Sequence, residues 1–129
     1  MNKRLFIIED DANILYGLAA KFRIEGFQVG SDNGGNDLET LKTKLRIFKP
    51  DYVVLDLVLP TLESEKLLTA LKSEEELNRP CVFIFTNLSD NDSRERNEKL
   101  GADFYFLKND FALDDFVAKI KKIIENREK

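Results

Sequence analysis

Histidine is absent from the 129 residues. That removes His-based catalytic triads, imidazole metal sites and any phosphohistidine carried on this chain. Cysteine occurs once, at Cys81, so no disulfide can close within the chain. A lone thiol fits a reducing compartment, and Cys81 is expected to pack as a small buried apolar residue. No apolar run approaches the roughly 20 residues that a membrane-spanning helix needs. The basic start Met1-Asn2-Lys3-Arg4 meets Glu9-Asp10-Asp11 after four apolar residues, which is not the layout of a secretory signal. The expectation is a cytoplasmic chain with no membrane contact. Excess positive charge is also lacking. The net charge is −4, which disfavours direct nucleic-acid binding. Gly34-Gly35 is not followed by Gly-Lys-Ser/Thr, so there is no P-loop. No internal repeat, low-complexity segment or interdomain linker interrupts the chain, and its length predicts one domain over residues 1–129.

What is present is 43% hydrophobic and 34% charged, the balance of a soluble globular fold. The most informative stretch is Asp51-Tyr52-Val53-Val54-Leu55-Asp56-Leu57-Val58-Leu59-Pro60. Residues apolar at successive positions, without alternation, suit a strand buried on both faces. An unpaired carboxylate buried there would cost on the order of several kcal/mol. Asp56 therefore needs either a cation beside it or a place at an open sheet edge where something binds.

Similar short apolar runs recur. Leu5-Phe6-Ile7-Ile8 ends in Glu9-Asp10-Asp11, Cys81-Val82-Phe83-Ile84-Phe85 ends at Thr86, and residues 102–107 end at Lys108. Phe27-Gln28-Val29 is a shorter, less apolar strand before a loop at Ser31-Asp32-Asn33-Gly34-Gly35. Helical stripes separate these runs. Ile14, Leu15, Leu18, Ala19 and Phe22 mark a helix over residues 12–25, capped by Asp10 or Asp11 and stopped by Gly26. Leu38, Leu41, Leu45 and Phe48 mark a second, ended by Pro50. Leu67, Leu68 and Leu71 mark a third, with Glu74-Glu75-Glu76 as a solvated face. Residues 89–100 are polar and predict a short, weakly anchored helix capped by Ser89 or Asp90 and closed by Gly101. Leu113, Phe116, Val117, Ile120, Ile123 and Ile124 form the strongest stripe, followed by a polar tail at residues 125–129.

Five strand–helix units of about 26 residues each predict an α/β fold with a parallel five-stranded sheet between two helical layers. Right-handed crossovers and the weak second strand favour the flavodoxin-like order 2-1-3-4-5. In that order the strand ends bring Glu9, Asp10, Asp56, Thr86 and Lys108 to one edge. Clustered carboxylates repel unless a hard divalent cation such as Mg²⁺ joins them. A carboxylate can attack phosphorus to form an acyl phosphate, and such transfer depends mainly on positioning and charge neutralisation. Each residue alone has a plain structural explanation, such as a helix cap, a turn or a solvated lysine. The combination in this order does not.

The motifs Ile7-Ile8-Glu9-Asp10-Asp11, Pro50-Asp51 through Pro60, Phe83-Ile84-Phe85-Thr86 and Gly101-Ala102-Asp103-Phe104-Tyr105-Phe106-Leu107-Lys108 resemble the receiver domain of two-component response regulators. The resemblance covers essentially the whole chain. It implies that Asp56 accepts a phosphoryl group. Asp10, the Asp56 side chain and the Val58 backbone carbonyl would bind Mg²⁺, with Glu9 acting through a water. Thr86 would bond a phosphoryl oxygen and Lys108 would bridge to the acyl phosphate. Tyr105 stands where the family has its switching aromatic. Such a domain takes its phosphoryl group from a sensor histidine kinase or phosphotransfer protein and loses it slowly. It signals through the surface of its fourth helix, fifth strand and fifth helix to an effector protein or a fused output domain. It is not a turnover enzyme, and it is a monomer or weak homodimer. A register one residue later would pair Asp10 with Asp11 instead.

Three departures from the family pattern bear on rate and loop geometry. Asn109 follows Lys108 where the family usually has a proline with a cis bond. The expectation is a strained peptide or a trans bond that aims Lys108 differently. Asn87 follows Thr86 where a small residue is usual and would crowd the phosphoryl pocket. The loop Thr61-Leu62-Glu63-Ser64 lacks the usual glycine. Two other function classes compete. A pseudo-receiver that is never phosphorylated is opposed by the intact acid set. A Mg²⁺-dependent aspartyl phosphatase of the haloacid-dehalogenase type would carry a second Asp two residues after the first, where this chain has Val58.

Overall fold

Leu5–Ile8, Tyr52–Leu55 and Cys81–Phe85 are runs with no polar side chain at a strand face other than the tyrosine hydroxyl, and in the computed structural model they become adjacent inner strands. Residues 3–128 are described. In chain order the elements are β1 (Arg4–Ile8), α1 (Ala12–Ile24), β2 (Gln28–Asp32), α2 (Leu38–Phe48), β3 (Tyr52–Leu55), α3 (Ser64–Ser73), β4 (Cys81–Thr86), α4 (Asn91–Lys99), β5 (Phe104–Leu107) and α5 (Leu113–Arg127). Short 3-10 turns lie at Glu75–Leu77 and Lys108–Asp110. All strand pairs are parallel, in the order β2-β1-β3-β4-β5. This is the expected flavodoxin-like arrangement.

The alternation of side chains across each strand divides the core in two. Leu5, Ile7, Val54, Phe83 and Phe85 pack against Leu15, Leu18 and Phe22 of α1 and Phe116, Ile120 and Ile124 of α5. Phe6, Ile8, Val53, Leu55, Val82 and Ile84 pack against Leu41 and Leu45 of α2 and Leu67, Leu68 and Leu71 of α3. Both faces of β1, β3 and β4 are covered, which is why their sequences are continuously apolar. Phe85 stacks on Phe116 at 3.8 Å between ring centroids, tying β4 to α5. Each fully buried Phe or Leu contributes about 1.5–3 kcal/mol.

The helix ends follow their local chemistry. Asp11 caps α1 by accepting from the Ile14 amide. Beyond α1, Gly26 takes φ +95°, a left-handed conformation that costs glycine nothing. Asp37 and Asp90 cap α2 and α4 through the amides of Thr40 and Ser93. No described helix is long and apolar enough to cross a membrane. Cys81 is buried, as expected.

Several boundaries differ from the sequence expectation. β2 runs to Asp32, so Ser31 and Asp32 are strand and not loop. Pairing with β1 up to Ile8↔Asp32 supplies the backbone partners. Lys44, the Asn36 amide and the Gly34 N–H satisfy the buried Asp32 carboxylate. The glutamate run is not simply solvated. Glu74 pairs with Lys42 at 2.8 Å and Glu76 with Arg46 at 3.2 Å, so both tie back to α2. β5 starts at Phe104, because Asp103 turns its carboxylate to the Val82 amide and to Lys72. α5 continues through most of the expected polar tail to Arg127. The first two residues of the basic start and the last residue of that tail lie outside the described residues. α4 is anchored as weakly as its composition implies, since its buried side chains, Ser93 and Asn97, are both polar.

Candidate functional site

The parallel ladder continues one residue past its strands and sets the acids side by side. The Asp56 amide donates to the Ile8 carbonyl at 3.0 Å, and the Glu9 amide to the Asp32 carbonyl at 3.1 Å. Glu9 and Asp56 are 2% and 4% exposed, while Asp10 next to them is exposed. Glu9, Asp10 and Asp56 each offer a carboxylate oxygen within 4.8 Å of the other two. Asp11 instead caps α1. The pair beside Asp56 is thus Glu9 and Asp10, not Asp10 and Asp11.

Lys108 answers two of these acids. Its ammonium lies 2.7 Å from Glu9 Oε1 and 2.9 Å from Asp56 Oδ2, with the lysine side chain only 11% exposed. No peptide bond among the described residues is cis. The expectation that a trans Lys108–Asn109 bond would re-aim the lysine is not met. The 3-10 turn that begins at Lys108 still delivers it to the acids. The remaining Asp56 oxygen, Oδ1, accepts from the Val58 amide at 3.2 Å.

The electrostatics follow from burial. Desolvation pushes the Glu9 carboxyl above its ordinary value, with the Asp56 charge adding to the rise. Hydrogen bonds from Lys108 and the Asp11 amide oppose it without cancelling it. For Lys108, burial favours the neutral amine, but hydrogen bonds to Glu9 and Asp56 together with the charge of both carboxylates outweigh it, and the ammonium is held above its usual range. Three carboxylates face one ammonium. The donors are hard oxygens, and the charge imbalance suits a divalent cation of the Mg²⁺ or Ca²⁺ kind.

Beside the acids is a cavity of about 370 Å³, lined by Asp10, Asp11, Ile14, Asp56, Val58, Asn87 and Lys108. Val58 is 54% exposed there. Asn87 is exposed and is one of the lining residues. Thr86 does not line this cavity. It is fully buried, and its Oγ1 accepts from the Leu88 amide at a long 3.4 Å. Tyr105 is buried as well, 8% exposed. Its hydroxyl donates to the Leu88 carbonyl at 2.7 Å, and the Arg94 guanidinium lies 5.6 Å from its ring centre. Leu88 therefore joins Thr86 to Tyr105 through its two backbone groups. The sequence reading missed that link, because a backbone bridge leaves no side-chain signature. It also missed Ser64, whose hydroxyl donates to the Asp56 carbonyl at 2.9 Å.

A five-stranded parallel α/β domain with carboxylates and a lysine gathered outside its strand ends defines a class of site, the open end of a doubly wound sheet. The pattern of the response regulator receiver domain matches residues 5–121. The chain belongs to that family, the receiver domains of two-component response regulators. Transcriptional regulatory protein PrrA of Mycobacterium tuberculosis is 31% identical over 124 residues, which are 96% of this chain and 51% of that protein. The chain thus spans about half the length of such curated relatives. Sporulation initiation phosphotransferase F of Bacillus subtilis is 30% identical over 124 residues, covering 96% of this chain and 95% of that protein. Among solved structures, a CheY-like response regulator receiver domain protein from Methanospirillum hungatei superposes with a TM-score of 0.79 at 25% identity, over 99% of this chain and 98% of that one.

Proposed function

We propose that this receiver domain accepts a phosphoryl group on Asp56 in a Mg²⁺-dependent reaction and uses it to switch the α4–β5–α5 surface. The observation that carries the reading is the buried Glu9–Lys108–Asp56 bridge beside exposed Asp10, next to an open cavity. Asp56 is the one acid of the cluster that is both buried and a lining residue of the cavity. An Asp56 carboxylate oxygen bonds to phosphorus as the donor's P–N bond breaks, and the electron pair returns to the donor imidazole, which takes up a proton. With no histidine among these 129 residues, the donor lies outside this domain, on a histidine kinase or phosphotransfer protein.

Asp10, Asp56 and the Val58 carbonyl are the Mg²⁺ ligands in this reading, with Glu9 acting through a water. The cation supplies neutralisation of charge on the phosphoryl oxygens. Lys108 leaves its bridge to contact the acyl phosphate. Thr86, one residue before the cavity-lining Asn87, turns toward the phosphoryl group. That movement pulls on the Leu88 amide, and Leu88 passes it to Tyr105. A two-state element biased by one new charge is the physical form of such a switch. Weakly anchored α4 is the part that yields. The chain acts as one receiver domain in the cytoplasm, without turnover chemistry, and passes its state to an effector protein or a fused output domain.

The test is intact mass after incubation with Mg²⁺ and acetyl phosphate. One labile phosphoryl adduct is expected on the wild type and none on Asp56→Asn or in EDTA. A folded wild type that takes up no adduct and does not respond to beryllofluoride would overturn the reading.

A further inference from the structure

Ser64 is the first residue of α3 and is 5% exposed. It does not cap its own helix. The residue before it, Glu63, has cap geometry but makes no side-chain capping bond. The Ser64 hydroxyl instead crosses eight residues back to donate to the Asp56 carbonyl at 2.9 Å, a buried contact. The Asp56 backbone is therefore held at both ends, its N–H by the Ile8 carbonyl and its C=O by Ser64.

That second bond fixes the plane of the peptide between Asp56 and Leu57, because a peptide unit is rigid. The same plane starts the turn that returns the Val58 amide to Asp56 Oδ1 at 3.2 Å. It also sets the direction in which the chain reaches Val58, which lines the cavity. Without the hydroxyl, the Asp56 carbonyl is a buried acceptor with no partner and the turn is free to rotate toward one. Three residues, each with two soft dihedrals, then separate the anchored Asp56 N–H from the Val58 carbonyl.

We propose that Ser64 is a positioning residue for the cation site. By holding the 56–57 peptide it presents the Asp56 carboxylate and the Val58 carbonyl in one orientation, and so raises Mg²⁺ affinity without touching the ion. The inference deepens the reading of Asp56 and Val58 given above and rests on it.

Mg²⁺ binding to the unphosphorylated protein, followed by backbone amide NMR shifts, tests this directly. For Ser64→Ala, the Mg²⁺ dissociation constant is expected to rise roughly threefold to tenfold, the effect of one ordinary hydrogen bond. Ser64→Thr, which keeps the hydroxyl, is expected to stay within about twofold of wild type on the same basis. The Ser64 resonances of the wild type should also move along with the Val58 amide as Mg²⁺ is added. An unchanged constant in Ser64→Ala would overturn the proposal. So would equal weakening in Ser64→Ala and Ser64→Thr, or a Ser64 signal that ignores Mg²⁺ while Val58 responds. If Mg²⁺ shifts no amide of residues 9, 10, 56 or 58 in the wild type, the cation reading itself fails, whatever Ser64 does.

Discussion

Replacing Lys108 by Met removes the single ammonium between Glu9 and Asp56 while keeping much of the side-chain volume. Both carboxylates are nearly inaccessible, at 2% and 5% side-chain exposure, and Lys108 itself is 11% exposed. Solvent screening is therefore slight, and the change falls under removal of one partner from a buried pair, which costs about 3–5 kcal/mol. The open cavity beside the acids lets some water reach them, so the low end, about 3 kcal/mol, is the expected loss in EDTA at pH 7. Urea unfolding followed by circular dichroism reads it directly. With a slope of roughly 1–3 kcal/mol per molar urea, the midpoint should fall by about 1–3 M. The loss should shrink when Asp56→Asn is added, because one of the stranded charges is then gone. A coupling of about 1–3 kcal/mol between the two sites is expected. A Lys108→Met penalty below about 1 kcal/mol, the range of surface ion pairs, or strict additivity with Asp56→Asn, would refute the view that this bridge holds the site together.

Three further outcomes follow from the same geometry. In wild type, Mg²⁺ should raise the urea midpoint, by about 2.7 kcal/mol in stability when free Mg²⁺ is a hundredfold above its dissociation constant; Asp10→Ala should abolish most of that gain. Glu9 has its folded pKa raised above 4.5 by burial. Its contribution to stability is therefore fully present below 4.5 and lost as pH rises through the higher folded value. Mg²⁺ binding should show the opposite trend. It should weaken as pH falls toward the raised Glu9 value, before an ordinary glutamate would protonate, and dissociation constants measured between about pH 4 and 8 check both. Tyr105→Phe deletes the 2.7 Å bond to the Leu88 carbonyl and should cost about 0.5–1.5 kcal/mol in urea unfolding; no loss would show that this bond does not help hold α4 and its preceding loop.

Much of the molecule was legible in its residues. The unbroken apolar runs of β1, β3 and β4 mark strands covered on both faces, and helical stripes between them require parallel crossovers. Strand ends in a parallel sheet lie on one edge by topology alone, so Glu9, Asp10, Asp56 and Lys108 had to converge once the order 2-1-3-4-5 was chosen. The place of Asp32 was less legible. Its run carries Gly30, Ser31 and Asp32, poor in apolar residues, and only pairing with β1 and the Lys44 contact make it strand.

The sequence by itself determined the fold class, the sheet order and the set of acids at the open edge, because burial periodicity and chain connectivity are local or topological properties. Tertiary structure decided what touches what. It put Lys108 on Glu9 as well as Asp56 through a trans peptide, gave Asp11 to the helix cap, and buried Thr86, which accepts from the Leu88 amide. It also brought Ser64 to the Asp56 carbonyl. These are contacts set to within about an ångström by packing between elements distant in the chain, or by backbone groups that every residue carries. Neither leaves a pattern in the order of side chains.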